Sequence, residues 1–69
     1  MKSEKLNRIK IALLENDHTS TELADHLGVN KSTVSRWCSN DKQPTLQTLF
    51  EIAEFLDIEA KDLLVLRKK

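Results

Sequence analysis

The sequence predicts an all-α protein, on three observations. Apolar residues recur at helical spacing along almost the whole chain, without the strict alternation of a half-buried strand. The 69 residues include one glycine and one proline, too few for a turn-dense all-β composition. With 39% hydrophobic and 32% charged residues, the chain has a globular rather than a disordered balance. We therefore expect one domain over 1–69, with five helices.

The first two helices are predicted from their apolar stripes and their ends. Thr19 and Glu22 have capping-box spacing, in which each side chain accepts from the other residue's amide, so a second helix begins there. Gly28 ends it, because glycine enters the left-handed conformation without steric cost. Before it, apolar residues around an i, i+3, i+7 pattern predict a first helix over about 3–16: Leu6, Ile9, Ala12, Leu13 and Leu14.

Three more helices are predicted after Gly28. Asn30 is a suitable N-cap for a third helix over about 31–38, and the polar stretch 39–44 is typical of a loop. Thr45 caps a fourth helix, and a short last helix is expected at about 60–65. The fourth helix carries a wide apolar face: Leu46, Leu49, Phe50, Ile52, Ala53 and Leu56.

The stretch over about 20–38 lets two short helices cross closely. Ala24 is small where the backbones approach, and Gly28 supplies the turn between the helices. Val34 and Trp37, at i and i+3, would pack the third helix against the first two. The opposite side of the third helix should then face outward.

That outward side is suited to a surface of hydrogen-bond acceptors and phosphates. It carries two cations and two hydroxyls and no acid: Lys31, Ser32, Ser35 and Arg36. The first residues of such a helix lie deepest in the major groove of DNA, so Lys31 and Ser32 should reach bases first. Arg36, one turn later, would contact an adjacent base pair or a phosphate. The alternative is a solvated polar face without a function.

Residues 20–37, with 44–56 and 62–64, resemble helix-turn-helix DNA-binding domains of the Cro and phage-repressor type, called XRE-like. The resemblance implies a five-helix domain that binds operator DNA, usually as a dimer on inverted half-sites. The base-contacting positions then fall on Lys31, Ser32 and Arg36, with Ser35 and Thr33 as further base or backbone contacts. The phosphate-contacting positions fall on Thr19, Ser20, Asn40, Lys42 and Gln43.

The sequence departs from the family pattern in two regions, one helix–helix pair and one loop. Leu13 and Cys38 stand where the family usually pairs an Arg with a Glu; since both partners are apolar, no buried charge is left alone. In the loop, Asn40 can still adopt the left-handed conformation, whereas Asp41 brings a negative charge towards phosphate.

The formal net charge of zero hides an alternation of sign along the chain. Residues 1–10 and 31–42 are basic, whereas 15–25 and 51–62 are acidic. Binding of DNA would use one surface while another repels it. The alternative function is an antitoxin-like or assembly module that holds a partner protein through the acidic faces.

A homodimer is expected from a chain of this size, because a small core supplies little stability alone. Its possible seam is the apolar end of the chain, part of which must also close the core: Leu63, Leu64, Val65 and Leu66.

Other functions are not expected. His18, His26 and Cys38 lack the spacing of a metal site, and no glycine-rich loop is present, so we expect no metal, cofactor, small-molecule ligand or enzyme activity. Residues 1–5 show no signal peptide, and no apolar run approaches the roughly 20 residues of a membrane span, which favours the cytoplasm. The aromatic side chains are expected in the core: Trp37, Phe50 and Phe55. The sequence thus predicts a sequence-specific double-stranded DNA-binding regulator of transcription, acting as a repressor.

Overall fold

The structure, a computed structural model, describes residues 5–65, which form four α-helices and a 3₁₀ helix. These are α1 (Ile9–Glu15), α2 (Ser20–Leu27), α3 (Lys31–Cys38), α4 (Leu46–Leu56) and the 3₁₀ helix (Ala60–Leu63). The all-α prediction is confirmed, but the fifth helix is a single 3₁₀ turn. Within residues 5–65, no helix has the length and apolarity needed to span a membrane.

One core joins all five helical segments. The crossing of α2 and α3 is as predicted: Ala24, Val34 and Trp37 are buried, with Val34 fully inaccessible. Because these side chains hold α3 from one side, its other side faces outward. The remaining buried apolar side chains are Ile9, Ala12, Leu13, Leu23, Leu49, Ile52, Ala53, Leu56 and Leu63.

The ends of α2 follow the predicted local rules. The Thr19 hydroxyl accepts from the Glu22 N–H at 3.1 Å, and the Glu22 carboxylate accepts from the Thr19 N–H at 2.9 Å. Gly28 closes the helix in the left-handed conformation, with φ of 71°. Asn30 occupies the N-cap position of α3, although its side chain makes no capping hydrogen bond. Thr45 caps α4 by accepting from the Thr48 N–H.

The chain is extended at both ends of the described region, which corrects two predicted helices. The first helix begins at Ile9 instead of near residue 3, and residues 3 and 4 lie outside the described part of the chain. Residues 6–8 instead run antiparallel to residues 63–65, with the Arg8 N–H donating to the Leu63 carbonyl and the Val65 N–H to the Leu6 carbonyl, both at 2.9 Å. The same pairing ends the last helix at Leu63 and not at residue 65.

Several side chains that were expected on apolar faces are exposed. Phe50 and Leu14 are 58% and 67% exposed, because each follows a buried stripe residue by one position and is turned about 100° away from it. The prediction that Phe50 belongs to the core is therefore wrong, whereas Trp37 is buried and Phe55 is partly buried against the core. Two further exposed side chains lie before α1 and in the first turn of α4: Leu6 and Leu46.

Candidate nucleic-acid interface

The outer side of α3 is a polar surface on a rigid support. Lys31, Ser32, Ser35 and Arg36 are all exposed, whereas Thr33 is half-buried. Within residues 5–65, neither Lys31 nor Arg36 forms a salt bridge. Both cations are therefore free to meet an external anion.

The start of α2 adjoins this surface. Ser20 and Thr21 share a concave surface of about 450 Å³ with Lys31, Ser32 and Ser35. The structure thus brings together two predicted base-contacting residues, one predicted phosphate-contacting residue and a hydroxyl from the middle of α3. The other candidate residues do not line this concavity: Thr19, Thr33, Arg36, Asn40, Lys42 and Gln43.

The hydroxyl group of Thr19 is used in part to cap α2. Its hydroxyl oxygen accepts from Glu22, but its hydroxyl hydrogen remains a donor. The pKa of the Glu22 carboxyl is lowered, first by the hydrogen bond from the Thr19 backbone and then by the His18 ring, whose Nδ1 lies 3.2 Å from Glu22 Oε1. The charged form of Glu22 is thus favoured at the start of the helix that approaches the candidate interface.

Asn40 adopts the predicted left-handed conformation, with φ of 63°, but its side chain points inward. It is 5% exposed, and its Oδ1 accepts from the backbone N–H groups of Leu6 at 2.8 Å and Asn7 at 2.9 Å. Its Nδ2 donates to the Asn7 carbonyl at 3.0 Å. This side chain holds the segment before α1 in place, and we therefore remove Asn40 from the predicted phosphate contacts.

Asn7 completes this network and was not anticipated from the sequence. Its Nδ2 donates to the carbonyl of Trp37 at 3.0 Å and to Oε1 of Gln43 at 2.6 Å. Gln43 in turn donates to Asn40 Oδ1 at 3.2 Å, so its amide serves the network although the residue is exposed. An isolated asparagine before an apolar stripe gives no signal of such a role, because its partners lie 30 or more residues away.

The loop after α3 is bonded to the helix it follows. The carbonyl of Arg36 accepts from the N–H groups of Asp41 at 2.9 Å and Lys42 at 3.3 Å. Both side chains are exposed, so a cation and an anion stand next to each other beyond the end of α3.

Leu13 and Cys38, which depart from the family pattern, are apolar neighbours of the core as expected. Leu13 is buried, and Cys38 is partly buried against the same core. Burial raises the pKa of the Cys38 thiol, so it stays protonated at neutral pH. In the described residues, no cluster of His, Cys, Asp and Glu could hold a metal ion.

The residues of the candidate dimer seam differ in their exposure. Leu63 is fully buried and belongs to the core, whereas Leu64 and Val65 are 40% and 36% exposed. Leu66 lies outside the described residues.

Comparison with known proteins agrees with this geometry. A family model described as helix-turn-helix matches residues 9–63. The chain belongs to the helix-turn-helix family. A candidate DNA-binding protein from Bacteroides fragilis, known from a crystal structure, is similar to this chain beyond the motif: it is 43% identical, with a TM-score of 0.86 over 87% of this chain and 97% of that one.

A second relative of this helix-turn-helix protein is the antitoxin HipB of Escherichia coli K12. The two are 33% identical over 52 residues, which cover 75% of this chain and 59% of HipB. The chain thus spans about three fifths of the length of HipB. The resemblance to Cro and phage-repressor-type domains is confirmed, and with it a DNA-binding helix-turn-helix fold.

Proposed function

We propose that this protein is a sequence-specific regulator of transcription that binds double-stranded DNA through α3. The observation that carries the proposal is the exposed outer side of α3, where Lys31 and Arg36 make no salt bridge within residues 5–65. Since the opposite side of the helix is anchored by Val34 and Trp37, this surface is pre-organised for a rigid groove. Membership of a DNA-binding helix-turn-helix family supports the same function.

Base contacts come from the side chains nearest the start of α3. Lys31 and Ser32 meet base edges in the major groove, and Arg36 binds the O6 and N7 of a guanine or an adjacent phosphate. Ser35 contacts a base or the backbone, and the half-buried Thr33 is restricted to the backbone.

Phosphate contacts come from the flanks of α3. Ser20 and Thr19 donate hydroxyl hydrogens at the start of α2, where the helix dipole also favours an anion. Beyond α3, Lys42 supplies a charge, and Gln43 keeps one amide hydrogen free after its bond to Asn40. Asp41 opposes these loop contacts, so the loop contributes less than the start of α2.

The protein acts as a repressor in the cytoplasm, by covering a promoter as a homodimer on inverted half-sites. Exposed Leu64 and Val65 supply apolar surface for the seam. The function requires no cofactor and no catalysis, and residues 1–69 act as one binding domain.

Selection of bound duplexes from a random pool tests this proposal. We expect enrichment of one palindromic sequence, because half-site spacing mirrors the two-fold symmetry of the protein. Recovery of a random population, with no binding that weakens as salt is raised, would contradict it.

A second candidate function is supported by the similarity to the antitoxin HipB. The protein would then hold a partner protein through the acidic faces over 15–25 and 51–62. A salt titration separates the two functions, because DNA affinity falls steeply as counterions compete for the phosphates. Binding to a partner protein that is insensitive to Lys31 and Arg36, with no duplex binding, would favour this second function.

A further inference from the structure

A second concave surface adjoins the candidate interface on the side of α1. It is a groove of about 430 Å³ between α1, the start of α2 and the end of α3. Leu13 and Cys38 contribute its apolar floor, and Lys10, Ser20 and Ser39 are among its polar residues. Among the described residues, no carboxylate side chain lines it. The groove is therefore suited to a ligand with a negative charge and an apolar part.

The groove is continuous with the surface assigned to DNA. Ser20 and Ser35 line both the groove and the concave surface that holds Lys31 and Ser32. When Lys31 meets base edges, the groove on the α1 side therefore lies beside the bound DNA, because Ser20 and Ser35 belong to both surfaces.

Lys10 is the cation of this second groove. It is exposed, and it forms no salt bridge within residues 5–65. It lines the groove together with Cys38 and Ser39, so it lies near the last turn of α3. Its charge accordingly lowers the pKa of the Cys38 thiol, which burial raises more strongly. Ser39 is less suited to an anion, because its hydroxyl hydrogen is donated to the Arg36 carbonyl at 3.1 Å.

We propose that Lys10 binds a phosphate of the DNA backbone in this groove, together with the hydroxyl of Ser20. The proposal rests on the proposed function and adds α1 to the helices that contact DNA. The Lys10 ammonium supplies the charge, and the apolar floor accommodates the adjoining sugar. Such a contact fixes the orientation of α3 in the major groove of the DNA without contributing to the choice of base sequence.

The salt dependence of duplex binding tests the role of Lys10. Each phosphate contact contributes about 0.9 to the slope of log affinity against log salt concentration. We expect Lys10→Gln to make this slope less steep by about 0.9 and to weaken binding equally for preferred and random duplexes. Lys10→Arg should retain the wild-type slope, because it keeps the charge.

Lys61→Gln is the matched control, since it also removes one exposed positive charge but lies on the 3₁₀ helix beside Glu59. We expect it to leave the slope at the wild-type value. Equal slopes for Lys10→Gln and Lys61→Gln would overturn the role of Lys10 while leaving the proposed function intact. Loss confined to the preferred duplex would overturn it too, because Lys10 would then contact a base. A wild-type protein without salt-dependent duplex binding would overturn both proposals.

Discussion

The α2–α3 unit and the paired ends of the described chain are built in opposite ways. In α2–α3, polar groups three residues apart cap the start of α2, and the cations on the outer side of α3 form no salt bridge within residues 5–65. In the network at the ends of the described chain, Asn7 and Asn40 are buried and their amides bond to groups 30 or more residues away. The exposed polar side chains of α3 are available for the proposed DNA contacts, whereas Asn7 and Asn40 bond within the protein. The proposed base contacts and the internal network therefore use different polar residues, whereas Thr19 and Gln43 combine a structural bond with a proposed phosphate contact.

The largest expected effect is the loss of the anchor under α3. Trp37→Ala should remove about 3–5 kcal/mol from the free energy of unfolding, because it opens a cavity where Trp37 is buried. A core of this size rarely supplies more than about 3–5 kcal/mol, so the variant should be largely unfolded by circular dichroism. Phe50→Ala, at an exposed aromatic residue of α4, is the control and should unfold near the wild-type urea concentration. A folded Trp37→Ala variant would show that α3 is held by other contacts.

A smaller loss is expected when the internal network is broken. Asn40→Ala leaves the buried N–H of Asn7 without its acceptor, at a cost of about 1–3 kcal/mol, and places alanine at a positive φ. Urea denaturation measures this loss. Asn40→Gly is the matched variant, since it relieves the conformation but not the missing hydrogen bonds; the difference between the two variants gives the conformational part.

The same variant sharpens the contrast between the two regions. If Asn40 is purely structural, Asn40→Gly should leave the affinity for both preferred and random duplexes unchanged at temperatures where the variant is folded. Equally weaker binding of both duplexes by the folded variant would return Asn40 to the phosphate contacts.

On the outer side of α3, the expected effect is on binding and not on folding. Arg36→Ala should weaken binding of the preferred duplex by about 1–3 kcal/mol and relax the preference at one base pair. Its unfolding free energy should stay within about 0.5 kcal/mol of the wild type, because Arg36 is exposed and makes no salt bridge within residues 5–65. Titration of single-base variants of the operator measures the preference. A uniform loss across all sequences would instead make Arg36 a phosphate contact.

The smallest expected effect is a pH dependence at the start of α2. The pKa of Glu22 is lowered from its ordinary value of 4.5, so its charged form stabilises the fold. This contribution is complete above pH 4.5 and is lost as the pH falls through the lowered pKa of the folded state. Glu22→Gln should therefore lose less stability than the wild type on acidification, as measured by urea midpoints. Glu51→Gln, at an exposed carboxylate of α4, is the control and should follow the wild-type profile.

Local chemistry explains which parts of the fold could be predicted. Thr19, Glu22 and Gly28 determine the ends of α2 through groups at most three residues apart or through one backbone conformation, so the sequence alone suffices. Asn7 and Asn40 depend on partners brought close only by the complete fold, and the sequence predicts neither the network nor the extended segments. Of the candidate site, the exposed side of α3 follows from helical spacing, whereas the inward turn of Asn40 does not.

Residues 6–8 and 63–65 lie side by side in antiparallel orientation, and this arrangement has a mechanical consequence. Tension applied between Leu6 and Val65 loads their hydrogen bond first and the Arg8–Leu63 bond afterwards, so the pair unzips one bond at a time. Release of residues 6 and 7 also breaks the hydrogen bonds that Asn40 Oδ1 accepts from their N–H groups. The Trp37 carbonyl loses its hydrogen bond from Asn7 Nδ2 at the same time. Tension between Leu6 and Val65 would therefore loosen α3 first at its last turn, while the capping hydrogen bonds at the start of α2 remain intact.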